Sequence, residues 1–276
     1  MTSYSPTALA RGIREAVIEQ SYRAHVGHIG SSLSIADLLA ALYTRAPADT
    51  AGDPGERDRV VLSKGHAALA LYAALELTGA LAAGSIDEYC VENTQLGVHP
   101  EHAVDGVDFS TGSLGHGLSL ACGAALAARM QGSSRRAFVV MSDAELNEGS
   151  VWEAAMFAAH HRLANLVALI DVNGQQALGY TRDVLHLANL SERWAAFGWD
   201  VHTVDGHDPV ALVQLLNSLS TVDGEPHMLL ANTVFGKGVS FMENRIEWHY
   251  LPLSDTDYAR ALEELAAARE ATVAET

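Results

Sequence analysis

The stretch "AFVVMSDAELNEGSVWEAAMFAAHHRLANLVALIDVNGQQ" (residues 137–176) contains two apolar runs separated by a helical pattern. The runs at 137–142 and 166–172 have the length of buried strands, and 145–162 carries apolar residues at helical spacing. Asp143 follows the first run and Asn173 follows the second. Strand–helix–strand order predicts two parallel strands that end at the same edge of a sheet, so Asp143 and Asn173 should lie close together.

A carboxylate oxygen and an amide oxygen at one sheet edge suit a divalent cation. Magnesium and calcium prefer such ligands and keep other positions free for the phosphates of a bound molecule. Either residue alone is explained as well by ordinary local structure, since Asp commonly caps a helix and Asn-Gly commonly forms a turn. The pair therefore favours a cation site only in combination with further motifs.

The rest of the chain repeats this alternation of strands and helices. Apolar runs at 59–63, 199–204 and 227–234 predict three further strands, and helical patterns occur at 116–130, 189–197, 208–219 and from Asp255 onward. No internal repeat or low-complexity linker interrupts them. This order predicts one α/β domain over residues 1–276, with a parallel sheet covered by helices on both faces.

Composition narrows the possible partners. The 276 residues include 17 basic and 34 acidic side chains, a formal net charge of −17. Nucleic acid and anionic membranes require basic surface, so neither is expected as a partner. No apolar run is long enough to span a bilayer, and the polar N-terminal segment has no secretory core. The two cysteines, Cys90 and Cys122, lack metal-type spacing and are expected to be free thiols in a reducing cytoplasm.

Several motifs in a fixed order resemble one enzyme family. Residues 142–174 are similar to the thiamine-diphosphate motif, which usually begins Gly-Asp-Gly and ends in Asn about thirty residues later. The further stretches "GHIGSSLSIADLLAALY", "DRVVLSKGHAALALYAAL", "GVHPE", "STGSLGHGLSLACGAALAA" and "GKGVSFMENRIEWH" resemble the pyrophosphate-binding half of transketolase. The resemblance covers roughly residues 8 to 250 and is strongest to the separately encoded N-terminal subunit of a split transketolase. It implies the pyrophosphate-binding fold of thiamine-diphosphate enzymes.

The resemblance assigns the metal ligands and part of the cofactor site. It implies that Asp143, Asn173 and the backbone carbonyl of Gln175 bind Mg²⁺ or Ca²⁺, which then holds the diphosphate. Ser142 and Ala144 stand where the family usually has glycine. Glycine permits a close approach of backbone to ligand, so these two small side chains could weaken the cofactor binding that they are expected to support.

Four histidines lie in motifs where the transketolase family places active-site histidines: His28, His66, His99 and His249. By resemblance, His66 and His249 contact the diphosphate or nearby substrate, and His28 and His99 hydrogen-bond the oxygens of a ketose and help to move protons. Imidazole suits this work because it exchanges protons near neutral pH. A buried or capping histidine would explain any one of them alone, but four matches in four motifs favour catalysis.

The turn "GSLGHG" (112–117) precedes a helical pattern. A glycine-rich turn at a helix start can hold an anion, although many such turns only begin a helix. The resemblance implies that Gly112 and Ser113 contribute backbone groups and that Leu114 lies beside the thiazolium ring. It also places Glu145 among the cofactor-binding residues and Glu148 at the subunit contact, linked to the partner's catalytic glutamate. An ordinary acidic residue in a first helical turn would explain Glu148 equally well.

A second chain is expected to complete the site. In the family, the glutamate that activates the aminopyrimidine ring and the arginines that bind sugar phosphates belong to a pyrimidine-binding domain, which this sequence does not contain. We expect a C-terminal subunit of about 300 residues, by resemblance, that carries this domain and forms a heterotetramer. The complex would transfer a two-carbon ketol unit from a ketose to an aldehyde acceptor.

Other functions remain open at this point. Within the same cofactor class, the chain could be a 2-oxoacid dehydrogenase E1 α-like subunit or part of a deoxyxylulose-phosphate-synthase-like enzyme, although the four histidines favour ketose chemistry. A two-carbon transfer in specialised metabolism is another possibility. Ser142 and Ala144 also allow a non-catalytic binding or regulatory subunit.

Overall fold

A five-stranded parallel sheet forms the centre of the molecule. The computed structural model describes residues 4–45 and 56–274. The sheet runs in the order β1-β2-β3-β7-β6, and every neighbouring pair is parallel. A separate two-stranded antiparallel hairpin pairs β4 with β5. The strands are β1 (Arg59–Leu62), β2 (Ala137–Ser142), β3 (Leu166–Val172), β4 (Gln175–Gln176), β5 (Gly179–Tyr180), β6 (Asp200–Asp205) and β7 (His227–Asn232).

Helices pack on both faces of the sheet, so the fold has three layers. Ser5 caps the first helix by accepting a hydrogen bond from the Ala8 N–H, and Asp208 caps the ninth through the Ala211 N–H. The α-helices are α1 (Pro6–Ala24), α2 (Ile29–Ser34), α3 (Ala36–Arg45), α4 (Ala68–Leu77), α5 (Gly117–Met130), α6 (Gly149–His160), α7 (Thr181–Val184), α8 (Leu190–Ala196), α9 (Pro209–Ser218) and α10 (Asp255–Ala274).

Strand alternation divides the apolar residues into two cores. Phe138 and Val140 of β2 pack in the core that includes α1, α3 and α4, whereas Val139 and Met141 pack in the core that includes α5, α6 and α8. Successive side chains of a strand point to opposite faces, so a strand buried on both faces must be apolar throughout. This confirms the α/β class with helices on both faces.

The structure differs from the sequence prediction between the second strand and its following helix. The predicted helix 145–162 is interrupted: residues 144–147 form a 3₁₀ turn, Glu148 is extended, and α6 begins only at Gly149. The side chain of Glu145 explains the break, because it turns back to accept hydrogen bonds from the Gly115 and Ser142 N–H groups. The β4–β5 hairpin was not predicted, since two-residue strands leave no periodic pattern.

The prediction that both cysteines are free thiols is confirmed. Cys90 is exposed, Cys122 is buried, and both are free thiols. Among the described residues, no helix combines the length and apolar character that crossing a bilayer would require.

Candidate active site

Asp143 and the loop that contains Asn173 meet at the carboxyl edge of the sheet. The Asp143 carboxylate accepts hydrogen bonds from the Ala144 N–H at 2.8 Å, the Gly174 N–H at 2.9 Å and the Thr181 hydroxyl at 3.1 Å. β2 and β3 are in register along the whole of β2, which brings their ends level. Gly174 has a φ of +72°, a conformation that glycine adopts without strain.

The side-chain amide of Asn173 is fixed on both sides. Its Nδ2 donates to Asp171 Oδ2 at 2.9 Å, and its Oδ1 accepts from the Gln175 N–H at 2.9 Å. The amide oxygen, which is the group that a hard cation would contact, is therefore oriented before any ligand arrives. The side-chain polar atoms of Gln175 are buried and make no hydrogen bond within the described part of the chain. These atoms lie in the same small region and are available to a ligand.

The hydrogen-bond partners of Asp143 are all neutral groups. Burial raises its pKa to about 7, the nearby Asp171 carboxylate adds to the rise, and the three hydrogen bonds offset only part of it. A buried carboxylate in this state favours the approach of a positive charge. The ligand types and the electrostatics thus fit a divalent cation at Asp143 and Asn173.

Beneath this edge lies a buried ion pair that the sequence analysis did not identify. Lys64 Nζ is 2.5 Å from Asp171 Oδ2, and the two side chains are 1% and 0% exposed. Asp171 also accepts hydrogen bonds from the hydroxyls of Ser34, at 2.7 Å, and Thr233. An aspartate inside the apolar run "LVALIDV" and one of only two lysines in the chain were the available signals.

Three of the four predicted histidines form a compact cluster. The ring centroids of His28, His66 and His249 lie 5.1–5.3 Å apart, pair by pair. Ser31 lies between two of the rings, with its Oγ 3.1 Å from His66 Nε2 and 3.5 Å from His249 Nδ1. The backbone N–H of His28 donates to the His249 carbonyl at 3.1 Å, which ties the two segments together. The Nδ1 atom of His28 is buried and makes no hydrogen bond to the described residues.

Burial keeps these three imidazoles neutral at physiological pH. It lowers the pKa of His28, lowers the pKa of His66 well below its usual value, and lowers the pKa of His249 to about 4. The charges of Lys64 and of the neighbouring histidines act in the same direction. Neutral rings can both donate and accept hydrogen bonds, which suits contact with carbonyl and hydroxyl oxygens.

One cavity of about 170 Å³ joins the histidine cluster to the cation edge. It brings together residues from both predicted constellations, and the fourth histidine, His99, lines it as well. The hydroxyl oxygen of Ser142 accepts from the Glu145 N–H at 3.2 Å, so its proton is available to a ligand. The lining residues are His28, Ser31, Lys64, His66, His99, Leu114, Ser142, Ala144, Asn173, Gln175, Gln176, Ala177 and His249.

The turn at 112–117 is held in place by Glu145. This carboxylate is fully buried and accepts from the Gly115 N–H at 2.7 Å and from the Ser63 hydroxyl. Its hydrogen bonds are made with protein groups, and it is not among the residues that line the cavity. Glu145 thus holds the turn at Gly115, and the neighbouring Leu114 lines the cavity.

The other predicted residues near this turn are not among those that line the cavity. Gly112 and Ser113 line a separate groove of about 610 Å³. Glu148 is exposed and lies against Gly115, where an added Cβ would be 2.7 Å from the Glu148 Cβ. These three residues thus lie beside the cavity and do not line it.

The fold and this constellation define the class of the protein as a thiamine-diphosphate-dependent α/β enzyme chain. Residues 5–273 match the family described as "Transketolase, thiamine diphosphate binding domain". The chain therefore belongs to the transketolase family and corresponds to its cofactor-binding domain. The family and fold predicted from the sequence motifs are confirmed.

Relatives and solved structures agree with this assignment. The chain is 41% identical over 259 residues to the 6-deoxy-6-sulfo-D-fructose transketolase subunit SqwG of Clostridium sp. (strain MSTE9), covering 93% of this chain and 94% of the relative. It is 39% identical over 255 residues to an apulose-4-phosphate transketolase subunit of Phocaeicola vulgatus, covering 92% and 91%. The transketolase of Campylobacter jejuni superimposes with a TM-score of 0.84 at 28% identity, covering 95% of this chain but only 42% of that one.

Proposed function

We propose that this chain is the cofactor-binding subunit of a split transketolase, which acts with a second subunit that carries the pyrimidine-binding domain. The observation that carries this proposal is the cavity that joins Asn173, next to the buried Asp143 carboxylate, to three neutral histidines. An anionic cofactor at the cation edge and a ketose substrate beside the histidines would match the two parts of the cavity. Relatives named as subunits, matched over more than nine-tenths of their length, support the two-chain arrangement.

The diphosphate is held through a cation. Asp143, Asn173 and the Gln175 carbonyl would bind Mg²⁺ or Ca²⁺, with Ser142 and Ala144 beside the diphosphate. This explains how a chain with a net charge of −17 retains an anionic cofactor. Thiamine diphosphate, when bound, supplies the carbanion chemistry that cleaves a ketose next to its carbonyl.

The histidines act on the substrate oxygens. His28 and His99 hydrogen-bond the carbonyl and hydroxyl groups of the ketose, and His66 and His249 contact the diphosphate or nearby substrate. The lowered pKa values of His28, His66 and His249 keep these rings neutral at physiological pH, so each ring can donate one hydrogen bond and accept another while it helps to move protons. Leu114 supplies an apolar surface to the thiazolium ring.

Recognition of the sugar's charged group falls to the partner. Among the described residues that line the cavity, Lys64 is the one ammonium or guanidinium group, and it is already paired with Asp171. The relatives' names include a sulfonated ketose and a phosphorylated one. We therefore propose an anionic ketose as donor, recognised by basic residues of the second subunit, in a cytoplasmic heterotetramer.

Reconstitution tests this function. The chain purified alone should bind thiamine diphosphate weakly and transfer no ketol unit, and turnover should appear when the C-terminal subunit is added. Asp143→Asn should strongly weaken both cofactor binding and turnover of the complex, whereas Asp223→Asn, an equal charge change at an exposed residue, should leave them unchanged. Cofactor binding without turnover on any ketose would instead identify a regulatory subunit, and turnover by the lone chain would exclude the split site.

A further inference from the structure

A second polar cluster lies at the amino ends of two strands, away from the cofactor cavity at the carboxyl ends. Asp200 begins β6 and His227 begins β7, and the parallel register pairs these two residues directly. His202 lies two positions further along β6, so its side chain projects to the same face as that of Asp200. The cluster therefore joins the edge strand of the sheet to its inner neighbour.

Both imidazoles converge on one oxygen atom. His202 Nε2 lies 3.0 Å from Asp200 Oδ2, and His227 Nδ1 lies 2.9 Å from the same oxygen. One atom from each of the three side chains falls within 4.8 Å of the other two. In the described part of the chain, no other group of three histidine, cysteine, aspartate or glutamate side chains converges in this way.

The second nitrogen of His227 decides what can lie between these groups. Its Nε2 is 2.7 Å from the Ser220 carbonyl oxygen, which can only accept, so Nε2 carries the proton. In the neutral ring, Nδ1 then presents a lone pair to a carboxylate oxygen. Two acceptors at this distance repel each other unless a proton or a cation lies between them. A backbone carbonyl that fixes the far nitrogen is also the usual support of a metal-bound histidine.

The exposure of the three side chains grades from buried to open. The side chain of His227 is 6% exposed, that of His202 is 30% exposed, and that of Asp200 is 44% exposed. The carboxylate of Asp200 is therefore open to solvent, so an ion can reach it.

We propose that Asp200, His202 and His227 bind one transition-metal cation of the Zn²⁺ type. Ligands about 2.1 Å from a shared ion are about 3.0 Å apart at a right angle and about 3.4 Å apart at the tetrahedral angle. The 2.9 and 3.0 Å separations from Asp200 Oδ2 match the right-angle spacing, and the two imidazole nitrogens lie within 4.8 Å of each other. Two imidazoles with one carboxylate favour Zn²⁺, Co²⁺ or Ni²⁺, whereas the oxygen ligands at Asp143 favour Mg²⁺.

The site would fasten the edge of the sheet. In the described part of the chain β6 pairs with one strand, β7, and a metal that joins His202 to His227 links the two independently of their backbone hydrogen bonds. Three protein ligands leave at least one position for water, so the ion would exchange with solvent. The bound state stabilises the fold in proportion to the logarithm of free metal concentration over Kd.

Titration of the full-length chain with Zn²⁺ tests this site. The chain is first stripped with a chelator and then saturated with Mg²⁺ and thiamine diphosphate together with its partner subunit, so that the histidines of the cofactor cavity are occupied. Calorimetry should give one Zn²⁺ per chain, and Co²⁺ should develop visible absorption bands of imidazole coordination. At a hundredfold excess over Kd, Zn²⁺ should raise the Tm by on the order of 5 °C.

Two variants at the site and one outside it make the result specific. His202→Ala and Asp200→Asn should each weaken Zn²⁺ binding at least about tenfold and remove the Co²⁺ bands, since each removes or weakens one ligand. Both residues are partly exposed, so the variants should fold. His160→Ala, at an exposed position of α6, should leave both signals unchanged. Absence of saturable Zn²⁺ binding, or equal affinity in wild type and both site variants, would overturn the proposal and leave only a hydrogen-bonded trio.

Discussion

Two buried carboxylates at the ends of neighbouring strands have opposite electrostatic surroundings. Asp171, on β3, contacts the ammonium of Lys64 and accepts hydrogen bonds from Ser34, Thr233 and Asn173. Asp143, just after β2, is buried to a similar extent but accepts hydrogen bonds from neutral groups only. The described chain supplies a cation to one carboxylate and only neutral donors to the other.

Folding alone supplies Asp171 with a positive partner, whereas Asp143 would obtain one only when a cation binds. Asp171 and Lys64 form a complete buried ion pair. Asp171 also orients Asn173 by accepting a hydrogen bond from the Asn173 amide nitrogen. Burial leaves Asp143 with a pKa raised to about 7, and a divalent cation would offset that rise by stabilising the ionised carboxylate. Substitutions in the two places should therefore fail in different ways, one in stability and one in binding.

The largest effect on stability is expected from breaking the Lys64–Asp171 ion pair. Lys64→Met should lower the free energy of unfolding by about 3–5 kcal/mol, because it leaves the Asp171 carboxylate buried and unpaired. The other lysine provides a matched control: Lys237 is 38% exposed and 3.7 Å from Glu243, so Lys237→Met should cost less than about 1 kcal/mol. Urea denaturation measures both, and equal losses would show that the buried pair is not special.

Removing the charge of Asp143 should act mainly on binding. Asp143→Asn should weaken the affinity for Mg²⁺ and thiamine diphosphate by about 2–4 kcal/mol, a factor of roughly 30 to 1,000, as for loss of one partner in a buried charge pair. Its unfolding free energy should change by only about 1 kcal/mol, since one or two hydrogen bonds are altered. Calorimetry and urea denaturation of the same preparation separate the two. A large stability loss with unchanged affinity would reverse the comparison.

The pH dependence of stability should reveal the Asp143 carboxylate directly. The pKa of Asp143 is higher in the folded chain than in the unfolded chain, so its stabilising contribution is complete below about pH 4 and is lost as the pH rises through about 7. Without cation, wild type should lose about 2–4 °C in Tm relative to Asp143→Asn between pH 6 and pH 8. Addition of Mg²⁺ and thiamine diphosphate should remove this loss of Tm in wild type and should leave the Tm of Asp143→Asn nearly unchanged.

Thermal unfolding in chelator at pH 6, 7 and 8 measures this difference. The comparison with Asp143→Asn cancels the histidines, whose lowered pKa values act in the opposite direction and destabilise the fold as the pH falls below about 6.5. Parallel Tm curves for the two proteins would mean that the charge of Asp143 is already compensated.

The smallest effect is expected at the two positions that depart from the family motif. Ser142→Gly and Ala144→Gly each remove a small side chain from the cavity lining and add backbone freedom, which should cost about 0.5–1 kcal/mol of stability. Cofactor affinity, measured by calorimetry, should change by less than about fivefold, which is under about 1 kcal/mol. A gain of a hundredfold or more in either variant would show that these side chains obstruct the diphosphate.

The sequence was sufficient for features that depend on local pattern and order. All five strands of the main sheet were predicted within two residues at each end, because strands buried on both faces are continuous apolar runs. The proximity of Asp143 to the Asn173 loop followed from strand order alone. Both depend on periodicity and topology, which a single sequence contains.

Features that depend on side-chain direction were missed. The contact between Lys64 and Asp171 joins segments with no shared pattern, and neither residue type indicates a partner so distant in sequence. The position of Glu145 in the motif suggests a helical residue or a ligand-binding one. Its side chain instead turns inward and accepts a hydrogen bond from the Gly115 N–H, and the predicted helix is interrupted there. Such choices are settled by three-dimensional packing, which periodicity does not encode.

The histidine cluster has a consequence for biosynthesis. His28 and His249 belong to segments near opposite ends of the described chain, yet one backbone hydrogen bond and one ring contact join them. During translation, the first ring leaves the ribosome long before the last, so the histidine cluster cannot form until residue 249 has been made. In the pocket that we propose for the cofactor, loading therefore follows synthesis of nearly all of the described chain.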